Sequence, residues 1–210
     1  MNENNEDIMI IEDEDSQIKS SSKVEINHQE LRKPWQILIV DDDYAIHQAT
    51  KLILKHFSFE NRPLVCLSAY SAEESISLIK KNPDLAVILL DVVMETNDAG
   101  LKVIKYIRET LKNQFVRIIV RTGHPGEAPE DWLMSDYEIN DYKTKVELTQ
   151  NKLMTSLIGA LRSYNQLKLE LNNLEKIEQD LQNTKDLLEK IEEENKREEL
   201  RLSNLFTEEY

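Results

Sequence analysis

Four separated stretches of this chain carry residue types that phosphoryl chemistry on a carboxylate requires. Ile37-Leu38-Ile39-Val40 runs into Asp41-Asp42-Asp43, Val87-Ile88-Leu89-Leu90 into Asp91, and Ile118-Ile119-Val120-Arg121 into Thr122. The fourth, Asp141-Tyr142-Lys143-Thr144-Lys145, supplies the cation. A carboxylate is a weak nucleophile toward a phosphoryl group that is itself anionic. Such a transfer therefore depends on positioning and on neutralising charge at the transferred oxygens. Clustered carboxylates repel one another and favour entry of a hard divalent cation such as Mg2+. Lysine adds a compact positive charge. Taken singly, each residue has a plainer explanation: Asp41–Asp43 as a helix-capping turn, Thr122 as a loop hydroxyl, Lys145 as a solvated cation with Lys143 as its rival, Tyr142 as packing.

The elements that would gather these groups are legible around them. Strands buried on both faces of a parallel sheet read as unbroken Val/Ile/Leu runs. Ligands collect in the crevice at their carboxyl ends, where each polar residue stands. After the strand 36–40, Ile46, Ala49, Ile53 and Phe57 recur at helical spacing. Pro63 closes that unit, and Leu64–Leu67 reads as a second strand. Ser71 is placed as an N-cap with Glu74 completing a capping box, and Ile76 and Ile79 as the buried stripe. Asn82-Pro83 stops that helix. A strand over 85–90, a polar loop to Gly100 and a helix carrying Leu101, Ile104, Ile107 and Leu111 follow. Next come a strand over 117–121, an irregular loop from Gly123 to Pro129, a short element around Trp132, and a last strand near 138–142. Strands alternating with helices predict the α/β class: a flavodoxin-like, doubly wound, five-stranded parallel sheet over residues 34–160.

Composition narrows the function. The net charge of -14 argues against a broad nucleic-acid or anionic-membrane surface. A single cysteine, Cys66, excludes an intrachain disulfide framework and suits a reducing compartment. No apolar run approaches the roughly 20 residues of a membrane span, and the acidic start is unlike a signal peptide, so a cytoplasmic protein is expected. Residues 1–33 are expected to form a disordered acidic arm, with Ile8–Ile11 as a candidate docking motif. Residues 161–210 read as a coiled-coil helix. Leu167, Leu174, Leu181, Leu188, Asn195 and Leu202 recur every seventh position, with Ile177, Thr184, Ile191 and Leu205 three later. Asparagine in the first series favours a two-stranded coil and hence a homodimer; the competing expectation is a single helix folded back on its own domain.

In their order and context these residues resemble the receiver domain of two-component response regulators. The likeness is closer still to a variant subfamily with the strings Pro34-Trp35, Leu90-Asp91-Val92-Val93-Met94-Glu95-Thr96, Arg121-Thr122-Gly123 and Ile139-Asn140-Asp141-Tyr142-Lys143. Members of that subfamily are often joined to an HD-type cyclic dinucleotide phosphodiesterase. The resemblance implies Asp91 as phosphoacceptor, and Asp41 and Asp42 as an acidic pair holding Mg2+, with Asp42 favoured as the direct ligand. It further implies the Val93 carbonyl as a third ligand, Thr122 as the hydroxyl contacting the phosphoryl group, Lys145 as its ion-pair partner and Tyr142 as an aromatic switch. His124 falls where receivers tune water access, or is simply a loop histidine. The implied donor is a sensor histidine kinase. Among His28, His47, His56 and His124 no His-Asp pair offers a metal site, so no separate enzymatic output is expected. Signalling through protein contacts is the leading expectation, and a coiled-coil adaptor that is never phosphorylated is the alternative.

Overall fold

The computed structural model describes residues 33–123, 137–146 and 149–207, with side chains to Arg201. The acidic segment 1–32, His124, the element expected around Trp132 and the side chains of Leu202 and Leu205 lie outside the described residues. Strand β1 (Trp35–Val40) leads to α1 (Tyr44–Leu54), and the hairpin β2 (Ser58–Phe59) and β3 (Arg62–Ala69) leads to α2 (Ala72–Lys81). Then come β4 (Leu85–Leu90), α3 (Ala99–Lys105) with a π-helical turn over Tyr106–Thr110, β5 (Arg117–Thr122), β6 (Asp141–Thr144) and α4 (Gln150–Thr207). The sheet order is β2-β3-β1-β4-β5-β6. The five long strands are parallel, as expected, and β2 adds a short antiparallel edge.

Two strands depart from the sequence reading. Pro63, expected to precede β3, lies inside it opposite Ser58. It stands on the edge side of the hairpin, before the parallel pairing with β1 begins at Leu64, so its missing N–H interrupts no central ladder. The last strand begins at Asp141, three residues beyond Glu138. Asn140 explains the delay: its N–H donates to the Ile118 carbonyl at 2.8 Å, and its side-chain oxygen accepts from the Ile118 N–H at 2.9 Å. A side chain does there what a strand residue would have done.

Two cores follow from the period of two along each strand. On one face Leu38, Val40, Ile88, Leu90, Ile118 and Val120 pack against Ile79 of α2 and Val103, Ile104 and Ile107 in and just after α3. On the other, Ile37, Ile39, Val87, Leu89 and Ile119 pack against Leu54 of α1 and Leu153, Leu157 and Leu161 of α4. Each such fully buried side chain contributes about 1.5–3 kcal/mol through removal from water.

Helix α1 is turned one position from the expected stripe. His47, Thr50 and Leu54 are buried, Ile46 and Ile53 only half-buried, and Ala49 exposed. Helix α2 starts at Ser71, whose Oγ accepts from Glu74 N–H, but the Glu74 carboxylate accepts from Tyr70 N–H rather than from Ser71. Past the π turn, Arg108 is buried and donates to the carbonyls of Asn113, Val116, Tyr137 and Glu138. It clamps the end of that helix to the approach to β6, and burial lowers its pKa to about 10.

Candidate functional site

Strand register alone assembles the site. Val40 aligns with Leu90 and Leu90 with Val120, so Asp41, Asp91 and Arg121 form the next row across β1, β4 and β5. Asp41 N–H donates to Ala69 O and Asp91 N–H to Val40 O, which carries the ladder to the carboxylates themselves. Asp41, Asp42 and Asp91 each present a ligand atom, all within 4.8 Å of one another.

The three consecutive aspartates divide the work. Asp41 is wholly buried, and its Oδ1 accepts from Asp43 N–H at 3.0 Å, bending the chain into the turn before α1. Asp42 is exposed at the mouth. Asp43 caps α1 by accepting from Ala45 N–H at 2.8 Å. The helix-capping reading of this run therefore holds for Asp43, leaving the other two for the pocket.

Lys145 reaches the carboxylates and Lys143 does not. The Lys145 Nζ lies 2.6 Å from Asp91 Oδ2 and 3.0 Å from Asp41 Oδ2, whereas Lys143 pairs with Asp141 at 2.6 Å. The Lys145 backbone N–H donates to Thr122 O at 2.8 Å, extending the β5–β6 pairing to the site. Burial works against the Lys145 charge, but the hydrogen bonds to Asp91 and Asp41 outweigh it and raise its pKa. Burial pushes Asp91 above the usual carboxylate range, with Lys145 pulling the other way and Asp41 adding to the rise.

Thr122 is buried at the end of β5, on the opposite face to Arg121. Val93 turns its N–H toward Asp91 Oδ1 at 3.3 Å, two residues further along the chain. Tyr142 is buried and belongs to the first core.

Several supporting residues escaped the sequence reading. His47 Nε2 lies 2.8 Å from the Asp41 carbonyl and Nδ1 lies 3.0 Å from Ser68 Oγ. A carbonyl only accepts, so Nε2 carries the proton and fixes the turn behind Asp41. Glu95 accepts from Ala72 N–H at 2.9 Å, tying the loop after the acceptor to the start of α2. Gly100 N–H donates to Val92 O at 2.9 Å, and a Cβ there would stand 2.3 Å from Asp91 O. Arg121 is 2 % exposed, with Nη1 donating to Thr50 Oγ1 at 2.9 Å and Nη2 lying 3.8 Å from Asp41 Oδ2. A charged residue at the end of the apolar run Ile118-Ile119-Val120 was the one signal available for it.

The donor set suits a hard divalent ion: oxygen atoms only, converging, with one at the mouth and one, Asp41 Oδ2, buried in the floor beside the Lys145 ammonium. Asp41, Asp42 and Asp91 are the residues that fit such an ion.

A parallel doubly wound sheet with a carboxylate cluster at its carboxyl rim places the chain in the class of flavodoxin-like α/β domains. The response regulator receiver domain family matches residues 37–157, and the chain belongs to that family. It is 46% identical over 162 residues to the 3'3'-cGAMP-specific phosphodiesterase 2 of Vibrio cholerae serotype O1, a match covering 74% of this chain and 31% of that protein. The chain thus spans about a third of the length of that relative. Among solved structures, a receiver domain protein from Clostridium thermocellum matches with TM-score 0.51 and 24% identity, over 64% of this chain and 98% of that one. The signal receiver domain of an HD domain-containing protein from Pseudomonas fluorescens matches with TM-score 0.53 and 18% identity, over 64% and 92% of the two chains. At those identities the likeness shows the fold. No helix among the described residues is long and apolar enough to cross a membrane.

Proposed function

We propose that this chain is a phosphorylation-dependent response regulator that accepts a phosphoryl group on Asp91 from the phosphohistidine of a sensor histidine kinase. The observation that carries the reading is the convergence of Asp41, Asp42 and Asp91 within 4.8 Å, with Lys145 2.6 Å from Asp91. An Asp91 carboxylate oxygen forms the new bond to phosphorus while the phosphorus–nitrogen bond to the donor histidine breaks. The imidazole keeps that electron pair and takes up a proton. Bound through Asp41, Asp42, Asp91 and the Val93 carbonyl, Mg2+ would supply neutralising charge to the transferred oxygens. Lys145 holds the acceptor carboxylate in place and offers its charge to the phosphoryl group. Thr122 offers a hydroxyl to one of the added oxygens, and Tyr142 responds to the space that hydroxyl vacates.

The output is read as protein contact. On α4, Leu174, Ile177, Leu181, Leu188 and Ile191 are exposed at heptad positions. Such a stripe is accounted for by a second copy of the helix in a parallel coil, within a cytoplasmic homodimer. The same stripe is what favours the second reading, an adaptor whose coil works without phosphorylation. The name of the Vibrio cholerae relative suggests a phosphodiesterase, but the carboxylates gathered here are arranged as an acceptor, and hydrolysis is not assigned to this chain.

Incubation with Mg2+ and a small phosphodonor such as acetyl phosphate tests the proposal. The expected product is the intact chain carrying one phosphoryl group on Asp91, lost in Asp91→Asn. Wild-type protein that stays unlabelled, or Asp91→Asn that labels equally, removes it.

A further inference from the structure

We infer that Arg121 is a fixed cation in the floor of the carboxylate pocket that weakens Mg2+ uptake, and so sets the ion concentration at which the site becomes competent. Three observations place it there. Register puts it in the same row as Asp41 and Asp91, on the face covered by α1 and α4. Thr50 of α1 holds Nη1 at 2.9 Å, and Asp41 Oδ2 lies 3.8 Å from Nη2. Among the described residues Nε and Nη2 have no hydrogen-bond partner, although the side chain is 2 % exposed.

Those unpartnered N–H groups make a purely structural explanation poor. A buried donor left unpaired is destabilising, and an apolar residue of similar volume is commonly as stable or more stable in such a position. What Arg121 supplies that an apolar residue does not is a charge in a low-dielectric floor. Three carboxylates, Asp41, Asp42 and Asp91, face two cations, Lys145 and Arg121. The two cations differ in freedom. Lys145 has a quarter of its side chain exposed and can withdraw toward solvent as another cation enters. Arg121 has no such route, so its field opposes the incoming ion whatever Lys145 does. It is a positioning residue: it touches neither the acceptor oxygen nor the transferred group.

The inference rests on the metal-assisted reading of the site. Calorimetric titration of Mg2+ into the full-length chain tests both, together with the rise in melting temperature at fixed Mg2+. Arg121→Met should bind Mg2+ on the order of tenfold more tightly than wild type, with a larger Mg2+-induced thermal shift. Arg121→Lys, which keeps the charge, should stay within about threefold of wild type. Arg121→Gln keeps a donor for Thr50, carries the same expectation as Arg121→Met, and replaces it should the methionine variant not fold. Unchanged or weaker binding in the neutral variants overturns the inference, as does Arg121→Lys binding as tightly as they do. If wild type itself takes up no Mg2+ at millimolar concentration, the metal-assisted reading fails instead, and the two failures are told apart.

Discussion

Gly100 is where α3 presses hardest on the chemistry, and Gly100→Ala shows how the scaffold aims the acceptor. The Cβ added by this substitution would sit 2.3 Å from the Asp91 carbonyl oxygen and 2.6 Å from the Val92 Cα. Both are backbone atoms, so no rotamer change relieves the overlap. Either α3 lifts from the sheet or the end of β4 moves. Overpacking of this kind costs about 3 kcal/mol, at the upper end of its usual range. Alanine's better helix propensity returns at most about 1 kcal/mol. The net loss is then about 2 kcal/mol, or roughly 6–10 °C in melting temperature for a domain of this size. Urea unfolding followed by circular dichroism measures the first quantity, and the rate of Asp91 labelling by acetyl phosphate reports displacement of the acceptor. A midpoint equal to or above wild type would mean that helix propensity wins and that the close approach does not position Asp91.

Two further outcomes follow from the charges and from the exposed coil. Burial raises the pKa of Asp91 above its ordinary value of 3.8, so the folded state holds this proton more tightly than the unfolded chain, and the residue costs stability as pH rises through the window above 3.8. Asp91→Asn cannot ionise; its stability relative to wild type should therefore grow as pH rises above 3.8 and level off once Asp91 is ionised in the folded wild type, and a difference independent of pH contradicts this. Leu181→Lys changes a side chain that is 54% exposed on one chain. The receiver fold should survive it, while light scattering should show the dimer falling to monomers; a monomeric wild type would remove the coiled-coil proposal.

The apolar runs of β1, β4 and β5 were readable because a strand buried on both faces leaves its polar residues only at the ends, and those ends are the site. Asp41 and Asp91 stand at such ends, whereas Lys145 follows the short polar strand β6 and was singled out through the resemblance alone. Periodicity was a poorer guide to α1. Counting apolar positions selected Ile46, Ala49 and Ile53, whereas the helix turns His47 and Thr50 inward because each has a hydrogen-bond partner near the rim. A buried polar residue with a distant partner leaves no period. Arg121 was hidden in the same way, since Thr50 lies 71 positions away. The late start of β6 depended on the Asn140 side chain completing a ladder, which no propensity records. Local patterns reported what local burial decides; tertiary hydrogen bonds decided the rest.

Helix α4 runs from the carboxylate rim to the exposed Leu/Ile stripe, and the proposed coil would be moved through it. Its first turn follows Lys145 at the rim, and its apolar side runs along the second core as far as Tyr164, which meets Trp35 edge-on with ring centroids 6.2 Å apart. Trp35 is held in turn by its Nε1 donating to Phe59 O at 3.0 Å and by the Arg62 guanidinium 3.4 Å from its ring centroid. Trp35 opens β1, so this contact stands at the opposite end of the strand from Asp41. Beyond it the Asn165 amide donates to Glu60 at 3.0 Å and the Lys168 ammonium lies near Phe115 before the exposed stripe begins. The remaining helix is about 60 Å long, and a tilt of about 5° about this anchor moves its far end by about 5 Å. A small shift at the rim thus becomes a large one at the coil only while Tyr164 grips. Tyr164→Ala should leave Asp91 labelling intact, because the carboxylates lie at the other end. It should abolish any change that a beryllofluoride phosphate mimic produces in hydrogen exchange across residues 169–191. A wild-type coil unmoved by the mimic, or a Tyr164→Ala coil that responds as fully as wild type, breaks this connection.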